Sequence, residues 1–491
     1  TKEYGLISTI ASIGLINLWN ADIGLGHLDR YMYSDNKFTK SGAILGIGLV
    51  HSGIRNEADP AWALLREYLE DPDPTIKSCA LMGLALAYGA TAREEIAETL
   101  IPFVSDDDMM VAGMAALALG HLFVGTCNGD IASTILQTMM EHSNDDLDKP
   151  FARFLSLGIA LLFLAKQEGE ADAVLETLKV IEHPIAHDTS VLVSICAFAG
   201  TGNVLKVQEF LKYCTIEKKE DGEEKKNNSL GYAVLGVGLL SMAEDIGKEM
   251  SLRIFNHLMH FGDSNIRKAV PLAIGLEYAS NPNINVMDTL SKYSHDADKA
   301  VAVNAIFAMG LVAAGTNNAK MAQMLRQLGA YYQKDADCLF MVRIAQGLVH
   351  MGKGTMTVNP VHSHRNLIAP VSMAGLLSVL VAFTDAKNLI MEKHTHLLFF
   401  LVAAMYPRFL ITMDEDLKPL PLLVRVGQAV EVVAQAGKPK TITGFQTHNA
   451  PVLIAATERA ELASEEYLPI TPILEGFVLV KKNPDWQEEK K

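Results

Sequence analysis

The sequence predicts an all-α solenoid of helical hairpins, closed into a ring and followed by a small β-rich domain. Apolar runs rich in Gly and Ala return along the first 355 residues, and all but one have a small residue at the centre. Short β-branched runs separated by Gly, Pro and Asn begin after Pro419. The central residues of the apolar runs are Gly48, Ala85, Gly120, Ala160, Ile195, Gly238, Gly275, Gly310 and Gly347, and successive positions are separated by 35 to 43 residues.

This period is typical of a stacked-repeat architecture, in which each unit buries its apolar face against its neighbours. Within a unit the apolar run is followed by a turn and then by a segment with helical spacing of apolar residues, such as Ile131, Ile135 and Leu136. Residues 1–355 are therefore predicted to contain about nine to ten helix-turn-helix repeats. The mixed-charge run at 217–228 is predicted to be a disordered loop inserted at the rim.

The first helix of each unit is apolar nearly all round, so it is expected to be buried on every side. A Gly in the middle of a helix costs roughly 1 kcal/mol relative to Ala, and its return in many units indicates a packing constraint. Tightly nested inner helices of a closed ring would supply that constraint. Ile195 is the one large residue in the series. A second register, five residues later, contains only Gly, Ala or Ser: Gly53, Ala90, Gly125, Ala165, Gly200, Ala243, Ser280, Gly315 and Gly352.

The pattern changes after Gly354. Residues 356–418 include two very apolar stretches, 376–383 and 397–404, which are predicted to be helices that close or plug the ring. Residues 419–491 are predicted to form a β-rich domain and a charged tail. The expected strands are 422–426, 429–433, 441–446, 451–456 and 475–481.

Composition restricts the class of protein. A net charge of −15 argues against nucleic acid as a partner. The apolar runs are too short and too rich in Gly for membrane-spanning helices. The five Cys form no CxxC pair and several lie in apolar runs, which indicates small buried side chains in a reducing compartment. The chain opens in mid-repeat without Met, which indicates a part of a longer protein.

No catalytic constellation emerges. Residues 347–355 nearly match a phosphate loop, but Gly354 stands where Ser or Thr must hold Mg²⁺, and the segment ends a helix. The pairs His362/His364 and His394/His396 lack a third ligand at metal-binding spacing. We therefore predict a protein that is not an enzyme and that has no metal site and no cofactor.

An acidic ridge is predicted on the outer helices. Asn128 and Asp130 open a helix on which Asp130, Thr134, Gln137 and Glu141 form one polar stripe. Leu136 and Met140 border the stripe and could present an apolar edge. One interpretation is that the acids complement helix dipoles and keep the surface soluble. The other is a groove that receives a small partner with a basic-rimmed apolar patch. The neighbouring acids are Glu94, Glu95, Glu98, Glu170, Asp172 and Glu176.

The repeated Gly-[Ile/Leu]-[Gly/Ala]-Leu pattern, followed by Gly-Thr, resembles the proteasome/cyclosome repeat. Within that family, the chain from about residue 5 to 485 is similar to the smaller of the two large non-ATPase subunits of the 26S proteasome base, without its N-terminal region. The stretches that carry this resemblance are 124–130, 290–298, 315–318, 340–343, 437–448 and 473–478.

The resemblance implies a non-catalytic toroid around two central helices, present in cytoplasm and nucleus. Its expected partners are ubiquitin-like domains of shuttle factors, ubiquitin chains, a proteasome-associated deubiquitinase and ATPase ring subunits. In that family the main receptor site uses acids on the helix after Cys-Asn-Gly-Asp. Asp130 and Glu141 match two of them, while Gln137 replaces the middle one. Asp22 matches one acid of a second docking site, which is linked to the deubiquitinase.

Two alternatives remain open from the sequence. One is the larger sibling subunit, and the only sequence evidence against it is the six stretches that resemble the smaller subunit. The other is a transport or adaptor solenoid, an open superhelix with a concave groove.

Overall fold

The computed structural model describes residues 3–167, 169–215, 228–362, 367–430, 441–471 and 473–486. Most of them form short α-helices up to residue 383, and strands dominate after residue 405. The helices are α1 (Tyr4–Ile16), α2 (Ala21–Met32), α3 (Lys37–Val50), α4 (Pro60–Leu65), α5 (Pro74–Ala87), α6 (Glu94–Leu100), α7 (Met109–Leu122), α8 (Gly129–Glu141), α9 (Asn144–Leu147), α10 (Arg153–Leu162), α11 (Asp172–Leu178), α12 (Pro184–Ala197), α13 (Val204–Thr215), α14 (Asn228–Ser241), α15 (Asp245–Phe261), α16 (Ser264–Glu277), α17 (Ile284–Tyr293), α18 (Lys299–Val312), α19 (Ala319–Tyr331), α20 (Ala336–Val349) and α21 (Pro370–Phe383).

Apart from the four-residue α9, the helices up to α20 form two rows. The inner row is α1, α3, α5, α7, α10, α12, α14, α16, α18 and α20, and each of these helices packs against the next one in the row. The outer row is α2, α4, α6, α8, α11, α13, α15, α17 and α19, and each packs against the inner helix that follows it. This is the predicted helical-hairpin solenoid. The loop expected at 217–228 lies outside the described residues, apart from Asn228, with which α14 begins.

Small residues bring the inner helices into backbone contact, as predicted. A Cβ added to Gly48 would lie 2.5 Å from Gly83 O, and one added to Gly120 would lie 2.7 Å from Gly158 O. Such distances are shorter than any real Cβ contact, so only Gly fits there without a shift of backbone. From Gly48 to Gly310 every position of this register is buried.

The two departures from the register have physical reasons. The large Ile195 is accommodated because the facing residue on α14 is Gly236, where an added Cβ would lie 3.1 Å from Ile195 Cβ. Gly347 is exposed, and an added Cβ there would meet nothing within 4 Å. Gly347 belongs to α20, the last helix of the inner row, so no further inner helix packs against it.

The second register marks the turn after each inner helix. Most of its residues adopt a left-handed backbone, for example Gly125 with φ of 68° and Ser280 with φ of 52°. This conformation aims backbone N–H groups at the next repeat. Gly125 N donates to Leu161 O at 2.9 Å, and Ser280 N donates to Leu311 O at 3.0 Å. Because the last carbonyls of a helix lack partners within the helix, these bonds satisfy them and link successive repeats.

The predicted apolar helices after the repeats are α21 and the 3-10 helix Thr395–Ala404, with a π-helical turn at Lys387–Met391 between them. Residues 372–383 of α21 are all buried. This helix packs against α7, α10, α16 and the 3-10 helix, which in turn packs against α1 and α5. His121 on α7 hydrogen-bonds Ser378 at 2.9 Å, and Arg153 on α10 donates to Thr384 Oγ1 at 2.7 Å. The apolar segment therefore contacts repeats far apart in the chain.

The β-rich part begins earlier than expected, because three strands lie inside 356–418. The strands are β1 (Met356–Val358), β2 (Met405–Pro407), β3 (Phe409–Met413), β4 (Leu423–Val430), β5 (Thr441–Asn449), β6 (Val452–Leu453), β7 (Glu458–Leu462), β8 (Tyr467–Pro469) and β9 (Gly476–Lys482).

These strands form three small sheets. One pairs β1 with β2, one has the order β6-β3-β9-β8 with β3 and β9 parallel, and one is antiparallel with the order β5-β4-β7. The domain attaches to the turns after α16 and α18. Val358 N donates to Ser280 Oγ at 2.8 Å, and Arg408 Nη1 donates to Gly315 O at 3.2 Å. Its own core contains Leu410, Val424, Val426, Ala460, Leu474, Val478 and Val480.

Across the described residues, no helix is both long enough and apolar enough to cross a lipid bilayer.

Candidate functional site

The candidate receptor surface is the exposed face of α8, and local sequence fixes where this helix begins. The Asn128 side chain accepts hydrogen bonds from Asp130 N and Ile131 N, each at 3.1 Å, which caps the helix. Asp130 lies in the first turn, where its charge complements the helix dipole. The opposite face packs into the repeat through Ile131, Ala132, Ile135, Leu136, Thr138 and Met139.

The predicted polar stripe faces solvent on α8. Asp130, Gln137 and Glu141 are exposed, and Thr134 is half-buried with its hydroxyl donating to Asp130 O at 2.9 Å. Gln137 Nε2 donates to Glu141 Oε1 at 2.7 Å. Neither Asp130 nor Glu141 forms an ion pair with any residue in the described ranges. Both carboxylates are therefore available to a basic partner.

The expected apolar edge is narrower than predicted. Leu136 is only 5 % exposed, and the elements that pack against α8 are α10, α11 and the 3-10 helix Ile101–Ser105. Met140, one turn later and near the end of the helix, is 49 % exposed. Residues four apart lie on one flank of a helix, but this spacing does not show how far the neighbouring elements cover that flank. Met140 is therefore the apolar side chain that borders the stripe.

Acidic side chains extend the surface onto the neighbouring outer helices. Helix α11 packs against α8 and exposes Asp172 and Glu176, and Glu170 precedes it. Helix α6 exposes Glu94, Glu95 and Glu98, and it continues into the 3-10 helix that contacts α8.

Some of these acids already have partners. Glu176 pairs with Lys179 at 2.5 Å, and Glu95 pairs with Arg93 at 3.2 Å. Exposed pairs of this kind contribute little to stability, so they would separate readily in favour of another partner.

Asp22 lies apart from this surface. It is exposed in the first turn of α2, which packs against α1 and α3 near the start of the repeats. The exposed apolar side chains nearest to it in sequence are Ile16, Trp19 and Ile23. The structure therefore does not join Asp22 to the stripe on α8.

The histidine pairs considered as metal ligands do not form a metal site among the described residues. The rings of His394 and His396 lie edge to face with centroids 5.6 Å apart, and burial lowers their pKa values to about 4 and about 3. His362 is exposed, and His364 lies outside the described residues. No group of three or more His, Cys, Asp or Glu that could hold a metal ion occurs among the residues that the structure describes.

The five thiols are at least partly buried, and the glycine-rich segment at 347–355 is the end of a helix and a turn. Cys79, Cys196 and Cys338 are buried, and Cys127 and Cys214 are half-buried. Burial raises the pKa values of Cys79 and Cys196 to about 12, so these thiols are poor nucleophiles at neutral pH. The near-match to a phosphate loop is the end of α20 and the 3-10 turn Met351–Gly354.

Comparison with known proteins supports the resemblance. A family model for the proteasome/cyclosome repeat matches residues 42–78, and one for the C-terminal part of the 26S proteasome non-ATPase regulatory subunit RPN1 matches residues 433–486. The chain is 53 % identical to the 26S proteasome regulatory subunit rpn-1 of Neurospora crassa. The alignment covers all of this chain and 55 % of that relative. The whole of this chain is therefore similar to part of that subunit. Similar coverage is found for Schizosaccharomyces pombe rpn1 (53 % identical over 99 % of this chain and 54 % of the relative) and for the 26S proteasome non-ATPase regulatory subunit 2 of Dictyostelium discoideum (48 % identical over 99 % and 53 %).

The chain spans about half the length of the curated relatives that it matches. The names of these relatives describe regulatory and non-ATPase subunits, which agrees with the prediction that the chain is not an enzyme. The match to the proteasome/cyclosome repeat model supports the predicted repeat solenoid.

Proposed function

We propose that this chain is a non-catalytic scaffold of the 26S proteasome regulatory particle and that α8 is a receptor surface for ubiquitin-like domains. The observation that carries the proposal is that two carboxylates, Asp130 and Glu141, are exposed on one face beside Met140 and form no ion pair with any described residue. They are eleven residues apart, which is roughly 16 Å along a helix. A partner with basic groups around an apolar centre fits a stripe of this length.

Shuttle factors that carry ubiquitin-like domains and ubiquitin chains are the proposed ligands of this surface. We propose the region around Asp22 as a second docking site, for a proteasome-associated deubiquitinase. Exposed Trp19 and Ile23 beside this carboxylate support it, because interfaces combine aromatic anchors with charged rims. The ATPase ring subunits of the base are the remaining proposed partners, and the cytoplasm and nucleus are the proposed compartments.

The scaffold is proposed to be a closed toroid, with α21 and the 3-10 helix Thr395–Ala404 as its two central helices. The burial of α21 and its contacts with α7, α10 and α16 support this arrangement, as do the contacts of the 3-10 helix with α1 and α5. The chain is proposed to correspond to the smaller of the two large repeat subunits of the base. An open transport-type superhelix is the alternative, and a low-resolution image of the particle separates a ring from an open arc.

Charge reversal at α8 tests the receptor surface. Asp130→Lys combined with Glu141→Lys should weaken binding of an isolated ubiquitin-like domain at least tenfold in titration calorimetry, because two attractive contacts become repulsive. Asp172→Lys combined with Glu176→Lys on α11 is the matched control for net charge and should have a smaller effect. An unchanged dissociation constant in the α8 variant, with an intact thermal transition, would remove this site assignment.

A further inference from the structure

Glu277 is an exception in the inner row. It lies two residues after the small residue of its repeat and is only 4 % exposed. Burying a carboxylate without a partner is costly, so an acid at a position where a hydrocarbon fits needs a physical reason. The residues at this position in the other repeats are all buried and apolar: Val50, Ala87, Leu122, Leu162, Ala197, Leu240, Val312 and Val349.

Glu277 lines a cavity of about 190 Å³ between the end of α16 and the β-rich domain. Neither carboxyl oxygen has a hydrogen-bond partner among the described residues. The hydroxyl of Ser251 on α15 donates to Lys248 O at 2.9 Å. Ser251 and the Lys248 ammonium both favour the ionised form of Glu277, but burial outweighs them. A buried polar group without a partner that lines a cavity is what a ligand site presents before its ligand arrives.

The other fixed charges around the cavity balance. Lys248, Arg408 and Arg459 supply three positive charges, and Glu458, Glu461 and Glu475 supply three negative ones. The remaining titratable side chain of the lining is His362, which is exposed. The Arg408 guanidinium donates to two carbonyls, Ile454 O at 3.3 Å and Gly315 O at 3.2 Å. An ionised Glu277 therefore leaves the cavity with one negative charge in excess, and a ligand with a single positive charge would balance it.

The walls of the cavity require that the ligand also has an apolar part. Met242, Leu276, Val358, Ile454 and Leu474 give the cavity an apolar lining beside the carboxyl. Its volume exceeds the roughly 150 Å³ that holds benzene in an engineered cavity, so a chain of four or five carbons fits.

We propose that this cavity binds an alkylammonium group, with the ammonium paired to Glu277 and the methylene chain against the apolar wall. The same chemistry is offered by a lysine side chain of a peptide and by a free small amine. The site is independent of the receptor surface on α8.

Protonation gives the site a signature. Burial raises the pKa of Glu277 well above its usual range. The free carboxyl therefore keeps its proton to a higher pH than an ordinary glutamate, and it loses that proton when an ammonium group pairs with it. Binding should release a proton from the protein, and the release should decrease as the pH rises toward the pKa of the free site.

Titration calorimetry of the 491-residue chain with n-butylammonium, in two buffers of different ionisation enthalpy, tests the proposal. We expect saturable binding with proton release, and no binding of the neutral analogue n-butanol. Glu277→Gln should weaken binding at least tenfold, whereas Glu461→Gln, which removes the same charge at the exposed edge of the cavity, should change it less than twofold. Glu277→Leu, which introduces the residue found at this position in α7, α10 and α14, should abolish binding and keep or raise the thermal midpoint.

Two further probes distinguish the sources. Tighter binding of N-acetyl-lysine N-methylamide than of n-butylammonium indicates a peptide ligand, and the reverse order indicates a free amine. The proposal is overturned if no ammonium probe binds the wild-type chain at millimolar concentration. It is also overturned if binding occurs without proton release, or if Glu277→Gln and Glu461→Gln weaken it equally.

Discussion

The substitution Gly48→Ala isolates the close packing of the inner row, because the chain contains a matched position without that packing. Gly48 and Gly347 are each the third residue from the end of an inner helix, α3 and α20 respectively. A Cβ at Gly48 would lie 2.5 Å from Gly83 O, whereas one at Gly347 would meet nothing within 4 Å. The same methyl group is thus added to two similar helices, and only one of them faces another backbone.

The magnitude follows from two opposing effects. Replacing a helical Gly by Ala stabilises a helix by up to about 1 kcal/mol, and this gain should be similar in both variants because the two positions are equivalent. At Gly48 the added carbon meets backbone atoms that cannot rotate away, and overpacking of this kind costs about 1–3 kcal/mol. Gly347→Ala should therefore raise the free energy of unfolding by up to about 1 kcal/mol. Gly48→Ala should lie below Gly347→Ala by about 1–3 kcal/mol.

Urea unfolding followed by circular dichroism measures both variants against the wild type. Gly347→Ala should unfold at the highest urea concentration, the wild type at a lower one and Gly48→Ala at the lowest. Equal midpoints for the two variants would refute the argument, because they would show that the inner helices separate enough to admit a methyl group at no cost.

Two other predictions concern α8 and the apolar segment. Gln137→Glu should tighten binding of a ubiquitin-like domain by up to about fivefold at low salt, because it adds an exposed charge of the kind worth about 0.2–1 kcal/mol. Calorimetry at two salt concentrations checks this, and an increase that survives high salt would contradict an electrostatic origin. Burial lowers the pKa of His121 to about 3, so the unfolded chain takes up a proton near pH 6.5 while the folded chain does not. The stability that comes from this group is complete above pH 6.5 and is lost as the pH falls. His121→Gln should therefore reduce the loss of stability between pH 7 and pH 5.5 by about 1 kcal/mol, and parallel pH dependences in thermal unfolding would contradict it.

The repeat architecture could be predicted because the constraint that produces it acts at each step of the chain. Gly48 and Gly120 recur at a fixed period since each faces a backbone of the next helix. The exposure of Gly347 could not be predicted in the same way. Its sequence context matches that of its equivalents, and only the end of the stack removes its neighbour.

In the candidate site, too, some features could be predicted from the sequence and others could not. The cap at Asn128 and the stripe of Asp130 and Glu141 depend on spacing within one helix, so the sequence predicted them. The burial of Leu136 depends on three other elements that pack around α8, which spacing does not report.

The β-rich part was harder to predict because several strands are very short. β6 and β8 contain two and three residues, and β3 follows directly on β2 and the apolar 3-10 helix. Runs of that length carry no clear alternation, so periodicity could not separate them from loops. The role proposed for Glu277 required the cavity, although its acidic character in an otherwise apolar register was visible in the sequence.

Hydrogen–deuterium exchange with and without a bound ubiquitin-like domain tests the proposed receptor function most directly. If α8 is the receptor surface, backbone amides of Gly129–Glu141 should become more protected on binding, with a smaller effect on α11. Protection confined to other outer helices, with α8 unchanged at saturating ligand, would contradict the proposal.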